Sequence, residues 1–262
     1  AKSKDGEKIP ISLVKRKDTP ENSPTLLYGY GSYGISIPPS FSASRLSLID
    51  RGMVYAIAHI RGGMDKGKKW YQDGKKKKKI NTFEDFICSA LYLKKERISG
   101  EISIHGGSAG GLLVGATLNI RPDIFKAAVA EVPFVDVLNT ILDDTLPLTP
   151  PEWEEWGNPI KNIEDFQYIS SYSPYDNIKE QDYPTLLVTS GLTDPRVTYW
   201  EATKWVAKLR DKKTDTNPLF LKTYTEAGHG GMAGRYNQIK EVAFTYAFIL
   251  WSHNLLKRPI AS

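Results

Sequence analysis

The run from Ile102 to Ile120 contains no Asp, Glu, Lys or Arg. It is long enough to cross a membrane, yet Gly106, Gly107, Gly110, Gly111 and Gly115 interrupt it, with His105 and Ser108 among them. A lipid-facing helix does not normally hold such a break, so the run reads as a strand, a tight turn and a helix. The strand is expected over Ile102–Ile104 and the helix over Ala109–Asn119. One βα unit of this kind demands a sheet for the strand to join, and the rest of the chain supplies it.

Short apolar runs alternate with amphipathic ones. Strands are expected at Ile9–Val14, Thr25–Tyr28, Met53–Ile60, Ala127–Val132, Thr185–Ser190 and Leu219–Thr225. Helices are expected at Phe41–Asp50, Thr82–Lys95, Tyr199–Arg210 and Gln238–Leu256. Such alternation points to an α/β fold, a mostly parallel sheet with helices on both faces. Pro147–Pro174, rich in prolines and aromatics, reads as an irregular inserted segment. Lys75–Lys79 reads as a solvated loop, with an electrostatic docking patch as the alternative. The Asp5-Gly6 turn implies a preceding partner strand, and only four residues precede it, so that strand reads as truncated.

With 262 residues the chain is expected to form one domain, 1–262. Its 35 Lys+Arg against 30 Asp+Glu leave +5, too small an excess to make nucleic acid the default partner. One cysteine, Cys88, excludes an internal disulfide framework and a Cys-rich zinc site, and fits a reducing, cytoplasmic setting. The first residues lack the apolar core of a signal peptide and an initiator Met, so the chain reads as a processed or excised piece, with no membrane partner.

Gly106-Gly-Ser-Ala-Gly110 fits G-x-S-x-G between a strand and a helix, the context in which a serine hydroxyl is thrust out on a sharp turn. Its chemistry needs a histidine to take the Ser108 proton and a carboxylate to orient that histidine. His59, His105 and His253 fall within strand or helix patterns and read as structural. His229, in Gly228-His-Gly-Gly231, follows a late strand and reads as the base. Asp194, just past Thr185–Ser190, reads as the acid, with Asp143, Asp144 and Asp182 as rivals. The chain order Ser, Asp, His is that of α/β-hydrolases. Gly29-Tyr-Gly-Ser-Tyr-Gly34 imitates a dinucleotide motif, but Pro38-Pro39 delays the helix such a site requires. It reads instead as a loop contributing to an oxyanion hole.

Longer blocks carry a resemblance. Tyr28-Gly-Tyr-Gly-Ser-Tyr-Gly34, Ser44-Arg-Leu-Ser-Leu48, Ile60-Arg-Gly-Gly63, Gly106–Gly111, Val132-Pro-Phe-Val-Asp136, Glu155-Trp-Gly-Asn-Pro159, Ser171-Tyr-Ser-Pro-Tyr-Asp176 and Lys204–Arg210 together resemble the peptidase domain of the prolyl oligopeptidase family of serine peptidases. The resemblance runs nearly end to end and implies an α/β-hydrolase fold with Ser108, Asp194 and His229 as the triad. It implies the Tyr30 hydroxyl and the Ala109 N–H as oxyanion donors, with Tyr28 and Tyr33 as weaker rivals for Tyr30. In the branch it matches, short peptides are cleaved after Arg or Lys. There Glu152 and Glu154 correspond to the acidic residues that hold the basic side chain, and Arg196 to a residue that binds the substrate backbone. The branch has a further acidic pair where this chain has Pro38 and Ser40, which implies a weaker preference for consecutive basic residues. The family also carries an N-terminal β-propeller, absent here, so a separate propeller chain is a candidate partner.

The expectation is a serine endopeptidase acting on short basic peptides through an acyl-enzyme, with no metal or organic cofactor required. The rivals are a broad-specificity esterase or amidase, and an inactive or partner-dependent fragment.

Overall fold

The computed structural model describes residues 1–256; positions 257–262 of the single unit expected from the sequence lie outside the described residues. In chain order the elements are β1 (Ile11–Val14), β2 (Ser23–Tyr28), α1 (Ala43–Ile49), β3 (Val54–Ala58), α2 (Lys68–Gln72), α3 (Ile80–Lys95), β4 (Ser99–Gly107), α4 (Ala109–Ile120), β5 (Ala127–Glu131), α5 (Val137–Leu142), α6 (Thr149–Trp156), α7 (Ile163–Ser170), β6 (Thr185–Gly191), α8 (Tyr199–Lys212), β7 (Leu219–Tyr224) and α9 (Arg235–Ser252). The strands form a seven-stranded sheet in the order β1-β3-β2-β4-β5-β6-β7. Only β1 runs antiparallel to its neighbour; the other pairs are parallel. This is the expected α/β-hydrolase arrangement.

Strand side chains alternate between two apolar layers because their period is two residues. Leu27, Ile104, Ala128, Ala130, Leu186 and Val188 pack with α3, α4 and α8 on one face. Leu26, Ala127, Val129 and Leu187 pack with Leu48, Ile49, Phe248 and Ile249 of α1 and α9 on the other. Burial on both faces explains why β2, β5 and β6 read as unbroken apolar runs rather than alternating ones.

Four expectations are corrected. Pro147–Pro174 is not irregular: it holds α6 and α7. Prolines 150 and 151 lie in the first turn of α6, where a missing N–H costs nothing, and Gly157 at φ +106° ends that helix. Asn162 caps α7 by accepting from the N–H groups of Glu164 (2.8 Å) and Asp165 (3.3 Å). The strand before the glycine-rich turn is longer than expected, reaching back to Ser99 and on to Gly107. The last helix begins earlier and stops at Ser252, with His253 as its C-cap. The lysine tract is not wholly solvated, because the Lys79 side chain is buried. At the start of the chain, the Asp5-Gly6 turn places Lys2 opposite Lys8 in an antiparallel bridge. Arg61, itself buried against Asp85, holds that turn through Asp5.

Candidate active site

Consecutive parallel strands deliver their following loops to one edge of a sheet, so residues far apart in sequence meet there. Ser108 follows β4, Asp194 follows β6 and the loop of His229 follows β7. The turn at Ser108 is strained: φ is +55° and ψ −120°. A non-glycine residue adopts such a backbone only when its surroundings over-determine it. Here Ser108 N–H donates to the Glu131 carbonyl at 2.8 Å, and the Ser108 carbonyl accepts from Phe134 and Gly111 N–H. Gly106 permits the turn's closeness, since a Cβ there would lie 2.2 Å from the Gly110 carbonyl oxygen.

Asp194 and His229 are paired. The Asp194 side chain is fully buried, and its Oδ2 accepts from His229 Nδ1 at 2.7 Å. Its Oδ1 accepts from Arg196 N–H at 2.8 Å and Val197 N–H at 3.0 Å. Burial would raise the Asp194 pKa, but the bonds from His229 and these amides hold it below the usual carboxylate range. An ionised Asp194 fixes the proton on Nδ1 and leaves Nε2 of His229 free to accept one.

Ser108, His229, Tyr30, Tyr33, Glu152, Arg196 and Glu201 line a common cavity of about 490 Å³ walled by Phe134, Ile141, Leu146 and Val197. Burial pushes the Tyr30 phenol up, with Glu152 and Glu155 adding to the shift and the neighbouring Ser108 hydroxyl opposing it. Tyr30 therefore keeps its proton and remains a neutral donor. Ala109 opens α4, so its N–H is among the first-turn donors without a helical partner.

The other histidines are engaged elsewhere. His59 bonds Ser12 (2.8 Å) and Asp65 (3.0 Å), and His253 bonds Ser103 (2.8 Å). His105 lies 3.1 Å from Glu131. Asp143 accepts from Thr145 and Asp182 from Thr214, while Asp144 is exposed. Tyr28 packs edge-on against His105, away from the cavity lining.

The acidic pair is not brought together as expected. Glu152 lines the cavity: its Oε2 accepts from Trp156 Nε1 at 2.7 Å and from the Tyr33 hydroxyl at 2.8 Å, and Oε1 has no partner among the described residues. Glu154 is 86% exposed and pairs with Lys76 at 3.2 Å, outside the cavity lining. The reason is helical: residues two apart project to opposite sides, and residues three apart share one. Glu155 is thus the neighbour of Glu152. Its Oε1 accepts from Tyr33 N–H at 2.9 Å and its Oε2 from the Tyr71 hydroxyl at 2.6 Å. Three-residue spacing would have singled out Glu155 had this stretch been read as a helix. Sequence reasoning also passed over Glu201, which gathers Val135 N–H, Asp136 N–H and the Thr140 hydroxyl from inside the fold, a long-range contact with no local signal. Arg196 is exposed at the cavity wall. Ser40 borders a different hollow, with Leu13, Phe41 and Arg45, and Pro38 is exposed.

Among the described residues no group of three or more His, Cys, Asp or Glu side chains is arranged to hold a metal ion. None of their helices is long and apolar enough to cross a membrane.

Comparison with known proteins bears on the family and the fold. The chain is 49% identical over 254 residues to Protease 2 of Moraxella lacunata, covering 95% of this chain and 37% of that protein. It is 50% identical over 255 residues to dipeptidyl aminopeptidase BI of Pseudoxanthomonas mexicana, covering 95% and 35%. The structure of oligopeptidase B from Leishmania major superposes with a TM-score of 0.96 at 49% identity, over 98% of this chain and 36% of that one. The chain thus spans a little over a third of the length of these relatives. The description of the prolyl oligopeptidase family matches residues 39–255, and with relatives of this identity the chain belongs to the prolyl oligopeptidase family.

Proposed function

We propose that this chain is the hydrolytic part of a serine peptidase that cuts short peptides on the carboxyl side of Arg or Lys. The observation that carries the reading is the shared cavity lined by Ser108 on its strained turn, by His229, itself paired with Asp194, and by Glu152. His229 Nε2 takes the Ser108 Oγ proton as Oγ attacks the scissile carbonyl. The developing oxyanion is stabilised by Tyr30 O–H and Ala109 N–H, the latter with the helix N-terminus behind it. His229 then gives its proton to the leaving amine. Water attacks the acyl-enzyme by the reverse traffic, freeing the acid and restoring Ser108. The free Oε1 of Glu152 accepts the guanidinium or ammonium in a charge-assisted bond, and Arg196, exposed at the cavity wall, donates to a substrate backbone carbonyl; its place in the lining supports that role. The relatives named Protease 2 and oligopeptidase B support this assignment.

A fluorophosphonate tests it. Ser108 is expected to be labelled and the Ser108→Ala variant not. An N-acylated arginyl amide is expected to be cleaved at least ~100-fold more efficiently than its norleucyl counterpart, since a charge-assisted bond to a cation discriminates strongly against an isostere lacking it. A folded protein with no Ser108 adduct overturns the reading. The dipeptidyl aminopeptidase relative favours a second one, release of dipeptides from a free N-terminus. Slow turnover of the N-acylated amide beside rapid turnover of a free dipeptidyl amide would select it. A reducing, cytoplasmic setting goes with either reading, supported by the single half-buried Cys88, and cell fractionation tests it.

A further inference from the structure

Lys79 closes the run of five lysines at Lys75–Lys79, and unlike Lys76, Lys77 and Lys78 it is not at the surface. The whole residue is 1% exposed. Its Nζ donates to the Gly31 carbonyl at 2.5 Å and to the Ser32 hydroxyl at 2.7 Å. The same ammonium sits 5.0 Å from the centre of the Trp156 ring. No carboxylate lies within ion-pair distance of it among the described residues. Burying an ammonium without a paired anion is unfavourable, so its two acceptors and the ring face are what hold it there.

Both acceptors belong to the turn between Tyr30 and Tyr33. The ring belongs to Trp156, whose Nε1 donates to Glu152. Tyr33 reaches the same glutamate from the other side. One buried cation therefore touches the loop that presents the oxyanion donor and the helix that presents the basic-residue acceptor. The geometry points to Lys79 as a positioning residue that helps lock the Tyr30 loop to the Glu152 helix, so that oxyanion stabilisation and recognition of the basic side chain are coupled through one buried side chain. The inference rests on the serine peptidase reading for its catalytic consequence, but the lock itself is a property of the fold. Burial pulls the Lys79 pKa down to about 8, opposed by the Glu155 carboxylate, as expected for an ammonium held by neutral acceptors.

Lys79→Met keeps the stem and removes the donors. Normalised to active serine by fluorophosphonate titration, kcat is expected to fall about 10- to 100-fold on arginyl and uncharged esters alike, less than the roughly 100- to 1,000-fold lost when an oxyanion donor is removed outright, because Tyr30 is displaced and not deleted. KM is expected to rise for the arginyl ester and to stay within about 3-fold for the uncharged one, since only the former uses Glu152. Hydrogen exchange of the amides at 29–35 is expected to accelerate about 10-fold or more, as local opening loses its anchor. Unchanged kcat per active serine with unchanged exchange overturns the inference and leaves Lys79 an ordinary core side chain. If Lys79→Met does not fold, Ser32→Ala decides. A loss of about 3- to 10-fold in kcat with faster exchange of the loop supports the lock, and wild-type values for both overturn it. If the wild-type protein labels no serine, the peptidase reading fails by itself; exchange in the two variants then supports or overturns the lock independently.

Discussion

Glu152 and Glu155 accept hydrogen bonds from the same tyrosine, one from its hydroxyl and the other from its backbone N–H. Tyr33 thereby ties both carboxylates to one loop, and its own phenol is pushed up by burial and by Glu152. The arrangement leaves one oxygen of Glu152 for a substrate cation, while both oxygens of Glu155 are occupied. On the proposed reading, charge recognition at this wall rests on a single acceptor. Glu152→Gln is expected to lower kcat/KM for an arginyl substrate by about 10- to 100-fold, the magnitude of a charge-assisted bond in a partly desolvated site, with little change for an uncharged ester. Glu154→Gln, at an exposed pair with Lys76, is expected to change either value less than about 3-fold. Steady-state kinetics on both substrates checks this, and equal losses in the two variants would place the cation elsewhere.

At the level of elements, the junction of β4 and α4 has to be narrow for Ser108 to project from it. The two glycines before the serine differ in what they make possible. A Cβ at Gly106 would sit 2.2 Å from the Gly110 carbonyl oxygen, whereas the nearest atom to a Cβ at Gly107 is 3.5 Å away. Gly106→Ala therefore has to push strand and helix apart. It is expected to destabilise the fold by about 3 kcal/mol or more, as overpacking of a rigid backbone contact does, and to abolish fluorophosphonate labelling. Gly107→Ala is expected to stay within about 1 kcal/mol. Urea unfolding of the two variants measures the contrast, and equal losses would mean that the turn relaxes freely. Elements also show where local reading works. β2, β5 and β6 are legible because burial on both faces makes their apolar runs continuous. α6 is hard to read locally because its prolines argue for irregular chain, although in a first helical turn they are compatible with a start.

Across the whole molecule, seven strands gather loops from residues 108, 194 and 229 at one edge, and buried groups between the layers tie that edge to global stability. Glu201 is one such group. It is 1% exposed, and burial raises its pKa to about 7 against the hydrogen bonds it accepts. Between about pH 4.5 and 7 the folded state keeps a proton that the unfolded chain has released. Raising the pH through that window therefore favours unfolding, and stability falls until Glu201 ionises in the fold as well. Chemical unfolding of the wild type is expected to lose on the order of 1–3 kcal/mol across it, and Glu201→Gln to lose less. Equal slopes would show that Glu201 ionises at its ordinary value in the fold. The sequence alone determined the strand–turn–helix at Ser108, the α/β alternation, and Asp194 and His229 as residues in loops after late strands, because backbone conformation and hydrophobic period are local and leave their mark within a few residues. Only the tertiary structure decided that Tyr33 of a distant loop holds both Glu152 and Glu155, and that Lys79 leaves its solvated run for the interior. Each of those depends on contacts across 47 to 122 positions of chain, which no short stretch of residues encodes.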